Sequence, residues 1–271
     1  MYDLPMIRVR GDARALGRGQ GEAMAALIRR FVPMRFAAAA TYMGEVGGAG
    51  VDKLIAAGRQ CYAVFEQWDG AAFVEHGALA AAAGVDPVEL FTAANMTDIR
   101  DVVLLGERGP VPPADAEGCS AVLLPKAWTA AGQVLVGQTW DLNPEDLDYV
   151  VAIHRQPDGG PATWSITVAG APSLVGMNDR GLCVGTTNIK TWGSRVGVGY
   201  MNVLHRALNQ PDFAAAAAVI EEAPRAGAHV YWLADEARFV EWETTPSGFV
   251  WRGDGDGPAA RTNHCLADAH R

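Results

Sequence analysis

The sequence predicts an α+β fold, and three observations predict it. Ala-rich stretches with a helical apolar period fill the first part of the chain. Short runs rich in Val, Ile, Thr and aromatics, separated by Gly, Pro, Asn and Asp, fill the rest. A Pro/Gly-rich break, Arg108-Gly109-Pro110-Val111-Pro112-Pro113-Ala114-Asp115, divides the two. Helices in one block and strands in another indicate segregated layers rather than alternating βαβ units.

In the first block, Asp12 is a candidate N-cap for a helix through Ala15, Leu16, Met24, Leu27 and Ile28. Gly17, Gly19 and Gly21 inside that pattern each cost about 1 kcal/mol against Ala, so they indicate either a close backbone approach or a poor helix start. A second helix is expected over Val51–Trp68 and a third over Ala71–Ala83. Asp86-Pro87-Val88-Glu89 combines an N-cap, a first-turn proline and a capping-box glutamate, and opens a helix running to about Arg100. After the break, strands are expected at Ser120–Leu124, Gln133–Trp140, Tyr149–Arg155, Thr163–Val168, Leu182–Thr187, His229–Ala234, Phe239–Glu243 and Phe249–Arg252. Asn178-Asp179-Arg180-Gly181 marks a tight turn, and a helical pair interrupts the strands over Tyr200–Leu208 and Asp212–Glu222.

At 271 residues, with 49% hydrophobic and 20% charged residues, the composition is that of an ordinary globular protein. A formal charge of −9 argues against nucleic acid as the main partner, because phosphate binding needs a basic surface. The start, Met1-Tyr2-Asp3-Leu4-Pro5, has no basic-then-apolar signal pattern, and no apolar run is long enough to span a membrane; a cytoplasmic protein without membrane partners is the expectation. The four cysteines are Cys61, Cys119, Cys183 and Cys265. None has C-x-x-C spacing, and no second close pair joins His264-Cys265 to complete a zinc set, so Cys61 and Cys183 read as small buried hydrophobes.

Cys119 differs from the others. It stands in Glu117-Gly118-Cys119-Ser120, directly after the Pro-rich break, and opens the apolar run Ala121-Val122-Leu123-Leu124. A thiol becomes a useful nucleophile only beside a base or a positive charge. One candidate base is His264, downstream at a spacing that papain-like enzymes also use. The other is the α-amino group that scission of Gly118–Cys119 would release on Cys119 itself, titrating at about 7.7–8.0. The local sequence favours the second. A papain-like cysteine begins a helix within a C-G-S-C-W context, whereas Cys119 begins a strand, and Asn263 precedes His264 instead of following far behind. Asn188, at a strand end, reads as an oxyanion donor or a turn former, and Trp140, Trp192 and Tyr200 as acyl-pocket or core aromatics. His154, His205 and His229 have no metal-like spacing and read as surface or core histidines.

An ordered set of motifs then resembles one family. It comprises Gly118-Cys119, Gly137-Gln138-Thr139-Trp140-Asp141, Val175-Gly176-Met177-Asn178-Asp179-Arg180-Gly181-Leu182 and Thr262-Asn263-His264-Cys265, with Ile7-Arg8-Val9-Arg10-Gly11 at the start. Over essentially the whole chain it resembles the acyl-coenzyme A:6-aminopenicillanic-acid acyltransferase family of N-terminal nucleophile hydrolases. The resemblance implies a four-layer αββα sandwich formed jointly by a helical segment 1–118 and a nucleophile-bearing segment 119–271. It implies a precursor cut between Gly118 and Cys119, the two pieces staying associated, with an oligomer left open. Cys119 matches the nucleophile, Asp141 the acidic residue at the strand end and Asn263 the asparagine of the oxyanion hole. Thr139 stands where the family often has Asn, a change expected beside the site. Asn263 is followed by only His264 to Arg271, where the family usually continues, so the sandwich is expected to be short at its C-terminal end. No metal or tightly bound cofactor is implied. Acyl-coenzyme A would be a substrate, and no basic cluster marks a diphosphate site, so hydrolysis of a small N-acyl amide is favoured over coenzyme-A-dependent transfer. The alternative is an uncleaved, non-catalytic member that binds a small molecule.

Overall fold

The computed structural model describes residues 4–46, 50–107, 118–253 and 257–270. The break at 108–115, expected as an exposed loop, lies outside the described residues. The first segment gives β1 (Met6–Gly11), α1 (Ala13–Glu45), α2 (Val51–Trp68), α3 (Gly70–Ala83), α4 (Pro87–Ala94) and α5 (Met96–Leu104). The second begins with β2 (Gly118–Leu124), β3 (Leu135–Asp141), β4 (Val150–Pro157), β5 (Thr163–Val168), β6 (Val175–Asn178) and β7 (Cys183–Asn188). It continues with α6 (Tyr200–Leu208), α7 (Phe213–Glu222), β8 (His229–Ala234), β9 (Phe239–Thr245), β10 (Gly248–Gly253) and β11 (Ala259–Arg261).

The architecture is α+β. An eight-stranded sheet has the order β1-β4-β5-β6-β7-β8-β9-β10, and a three-stranded sheet has the order β11-β2-β3. Alternation along the strands sends one side chain toward the helices and the next toward the small sheet. In β8, Tyr231 and Leu233 join the main core with Leu16, Ile28, Phe31 and Leu204 from the helices. Trp232 and Ala234 instead join Ala121 and Leu123 of β2 in a core between the sheets. The Trp232 indole donates to Gln138 Oε1 on β3 at 2.7 Å, tying the sheets together. Gly185 makes room for that indole, since a Cβ there would lie 2.2 Å from it.

The layers present therefore run helices, sheet, sheet. Among the described residues no helix lies on the outer face of β2 and β3, where Val122 and Leu135 are exposed. The small sheet also leaves part of the large sheet bare, with Trp164 40% and Met177 49% exposed. No helix of the described residues is long and apolar enough to cross a membrane.

Where the structure departs from expectation, a non-local contact is the cause. β1 was not expected from its short pattern; it forms by parallel pairing with β4, Met6 opposite Ala152 through Gly11 opposite Pro157. This pairing adds a strand of segment 1–118 to the edge of the sheet built by segment 119–271. The helix through Ala15 to Ile28 extends on to Glu45 through Pro33. The helix opened by Asp86 is broken at Asn95, whose amide donates to Phe91 O at 3.1 Å and to Asn202 Oδ1 on α6 at 3.0 Å. The close-approach reading holds for two of the α1 glycines. A Cβ on Gly17 would lie 1.9 Å from Glu75 O, and one on Gly21 2.4 Å from Leu79 O, so only glycine lets α1 cross α3 at this distance.

One buried cation is built into the helix–sheet interface. Arg155 of β4, 1% exposed, donates to Glu75 Oε1 at 3.0 Å, Ser165 Oγ at 3.2 Å, Gln20 Oε1 at 2.8 Å and Pro172 O at 3.0 Å. His205 lies 3.7 Å from the other Glu75 oxygen and 3.0 Å from Ser173 Oγ. Burial alone would raise the Glu75 carboxyl, but the neighbouring His205 and Arg155 outweigh it and hold it at about 2, below its ordinary 4.5.

Candidate active site

β2 and β3 pair antiparallel with Gly118 opposite Asp141 and Cys119 opposite Trp140. This register sets the thiol-bearing residue and the aspartate at the same end of the small sheet. The segment after β11 brings the third residue: Asn263 Oδ1 accepts the Cys119 backbone N–H at 2.8 Å. Its Nδ2 donates to the Asn188 carbonyl at the end of β7 at 2.7 Å. A backbone N–H can only donate and a carbonyl can only accept, so the two partners fix which end of the Asn263 amide is oxygen. An amide nitrogen carries two hydrogens, so one remains beyond the bond to Asn188. Gly118 is wedged between the two side chains: a Cβ there would sit 3.1 Å from Asn263 Oδ1 and 3.2 Å from Asp141 Oδ2.

The stretch carrying Asn263 is anchored from below by Glu243 of β9. Its buried carboxylate accepts the Leu266 N–H at 2.9 Å and the Ala267 N–H at 3.1 Å, and meets His270 Nδ1 at 3.0 Å. Arg261 pairs with the neighbouring buried Glu241. Two carboxylates under the small sheet thus fix the end of the described chain, and with it the amide that holds Cys119.

Cys119 opens onto a cleft of about 610 Å³, including space continuous with solvent. Phe31, Ala94, Leu174, Met201 and Trp140 give it an apolar lining, and Asn188 and His229 contribute polar groups. The Arg35–Asp146 ion pair, 2.7 Å and largely buried, also lines it. An apolar cleft with a few fixed polar groups is the usual form of a small-molecule site.

Cys119, Asp141 and Asn263 are thus assembled at one point, with Asn188 and Trp140 in the same cleft. Tyr200 lines it too, whereas Trp192 is not among its lining residues. Thr139 is exposed, and its hydroxyl accepts the Ser120 N–H at 3.1 Å on the outer face of the small sheet, so the departure from the family pattern points away from the cleft. His264 is exposed and bonded to Thr262 Oγ1 at 2.9 Å, outside the cleft lining, which removes it as the partner of Cys119. Cys61 and Cys183 sit in apolar surroundings, where burial pushes the Cys61 thiol to about 11 and raises that of Cys183. Sequence reasoning missed His229 and Asp98. His229 Nε2 lies 2.7 Å from Asp98 Oδ1, and the other Asp98 oxygen accepts the Tyr200 N–H at 2.7 Å. No spacing signal links residues that far apart in the chain.

The family model for acyl-coenzyme A:6-aminopenicillanic acid acyl-transferase matches residues 128–270, more than half of the chain. A match over more than half of the chain defines the class, that of an acyl-transferase family. The chain belongs to the acyl-coenzyme A:6-aminopenicillanic acid acyl-transferase family. Among solved structures it is similar to a Caenorhabditis elegans N-acylethanolamine-hydrolyzing acid amidase ortholog, at 13% identity and a TM-score of 0.39, over 54% of this chain and 70% of that one. No curated protein matches the sequence.

Proposed function

We propose that this chain is a self-cleaving cysteine amidohydrolase or acyltransferase of small N-acyl compounds, with Cys119 as its nucleophile once the Gly118–Cys119 bond is cut. The observation that carries this reading is the setting of one nitrogen. The Cys119 N–H donates to Asn263 Oδ1 at 2.8 Å, with Asp141 on the other side of Gly118.

In maturation the Cys119 sulfur attacks the Gly118 carbonyl carbon. The C–S bond forms, the C–N bond breaks, and the thiol proton ends on the Cys119 nitrogen. Water then cleaves the thioester, leaving a Gly118 carboxylate, a free thiol and a free α-amine. In turnover that amine takes the thiol proton and the thiolate attacks the substrate carbonyl; the C–N bond then breaks, the leaving amine takes the proton from the α-ammonium, and an acyl-enzyme remains. Asn263 Oδ1 holds the amine, Asp141 orients the ammonium as a triad carboxylate orients its histidine, and the remaining Asn263 N–H donates to the tetrahedral oxyanion. Water as acceptor gives hydrolysis and an amine gives acyl transfer; no basic cluster in the sequence marks a diphosphate site, which favours hydrolysis. The pieces 1–118 and 119–271 stay together after scission because β1 remains paired with β4 and the main core draws on both.

The test is a kinetic split at Asn263. Losing one oxyanion donor costs about 2.7–4 kcal/mol, so Asn263→Ala should lose on the order of 10² to 10³ in kcat on a chromogenic N-acyl amide while substrate binding changes little. Normal turnover in that variant removes Asn263 from the site.

A further inference from the structure

Two polar atoms of the cleft have no partner among the described residues: Asn188 Oδ1 and His229 Nδ1, both shut off from solvent. Buried polar atoms are paired in the great majority of cases, and an orphaned one calls for a partner that the protein does not itself supply. Here the two are on register partners, Asn188 of β7 opposite His229 of β8, so both side chains leave the sheet on one face. That face looks toward the helices and away from the small sheet.

Asp98 decides what His229 can offer. A carboxylate accepts only, so the 2.7 Å contact puts an imidazole proton on Nε2, and Nδ1 is an acceptor when the ring carries that proton alone. The ring is held in place, stacked on Tyr200 at 4.6 Å and flanked by Tyr231 at 5.6 Å. Asp98, itself 1% exposed, is held by the Tyr200 N–H. With the ring neutral, His229 Nδ1 is an acceptor, and the Asn188 amide presents Oδ1 beside it, in a cleft that also holds Cys119 and the Arg35–Asp146 pair.

We infer that Asn188 and His229 form a receptor for a hydrogen-bond donor, an O–H or N–H group, carried on the acyl part of the substrate, with Asp98 as the positioning residue that sets the histidine's polarity. This rests on the reading of the cleft as an acyl site. An unadorned alkyl chain leaves both groups unpaired, and an acceptor-only group such as a ketone meets the lone pair of His229 Nδ1. A site built to pair a polar group rejects analogues lacking it far more strongly than an apolar pocket rejects an extra methylene.

The experiment compares amides of matched chain length whose acyl chains end in hydroxyl, methyl or ketone. Their kcat/KM values are measured on the purified protein. Dissociation constants are measured by calorimetry with non-hydrolysable analogues in which a methylene replaces the amide nitrogen. At the chain length that reaches the receptor, hydroxyl should exceed methyl by about 10- to 100-fold, the cost of leaving buried acceptors unpaired. Asn188→Ala should bring that ratio down sharply. Asp98→Asn keeps an acceptor for the Tyr200 N–H but turns an N–H onto Nε2. The ring proton then moves to Nδ1, and the preference should shift toward the ketone, which loss of structure alone would not produce. Equal values for hydroxyl and methyl at every length, or a ratio unchanged in Asn188→Ala, overturn the inference. Calorimetry needs no turnover, so a preference in binding without activity separates failure of the enzyme reading from failure of this one.

Discussion

A Cys119→Ala protein is expected to remain a single chain and to turn over no N-acyl amide. The same sulfur opens the Gly118 carbonyl in maturation and the substrate carbonyl in turnover, so one substitution removes both steps. Loss of a covalent nucleophile costs on the order of 10⁶ in kcat. The backbone N–H of residue 119 still donates to Asn263 and β2 still pairs with β3, because neither uses the side chain. The variant should therefore fold, and its melting temperature should stay within a few degrees of the parent. Electrophoresis and a chromogenic amide assay check the two halves. Scission or turnover in Cys119→Ala would remove the thiol from the chemistry.

Glu75→Gln should destabilise the fold by about 3 kcal/mol, the low end of what breaking a buried ion pair costs, because Arg155 keeps its charge and loses its counter-ion. For a chain of this size that corresponds to a fall of about 6–12 °C in melting temperature. The pH dependence has a definite sign. Glu75 has a folded-state value of about 2 against an ordinary 4.5, so its contribution is complete above pH 4.5 and is lost as pH falls toward 2. Parent and variant should differ most near neutrality and converge in acid. A pair of melting curves that coincide at neutral pH would show that Arg155 draws its compensation from Gln20, Ser165 and Pro172 alone.

What was legible in the sequence was local. α2 needed only its own apolar period. The turn at Asn178–Gly181 needed only its own residues, with Asn178 Oδ1 accepting the Arg180 and Leu182 N–H groups at 2.9 and 3.1 Å and Gly181 at a φ of 83°. Cys119, Asp141 and Asn263 were legible because each sits in a short motif and the motifs come in a recognisable order. β1 was not legible, since Met6–Gly11 is a strand only because β4 lies alongside it. The break at Asn95 was not legible either, because it is fixed by Asn202, 107 residues away. Asp98 and His229 are 131 residues apart, and each alone looks like an ordinary polar residue. Their meaning lies in a contact made only after α5 packs against the end of β8.

Intact-mass analysis of the purified protein, with iodoacetamide labelling, tests the central claim most directly. The account predicts two polypeptides that meet at the Gly118–Cys119 bond, with the label on the Cys119 of the larger piece. A single uncut chain whose Cys119 does not react would contradict it.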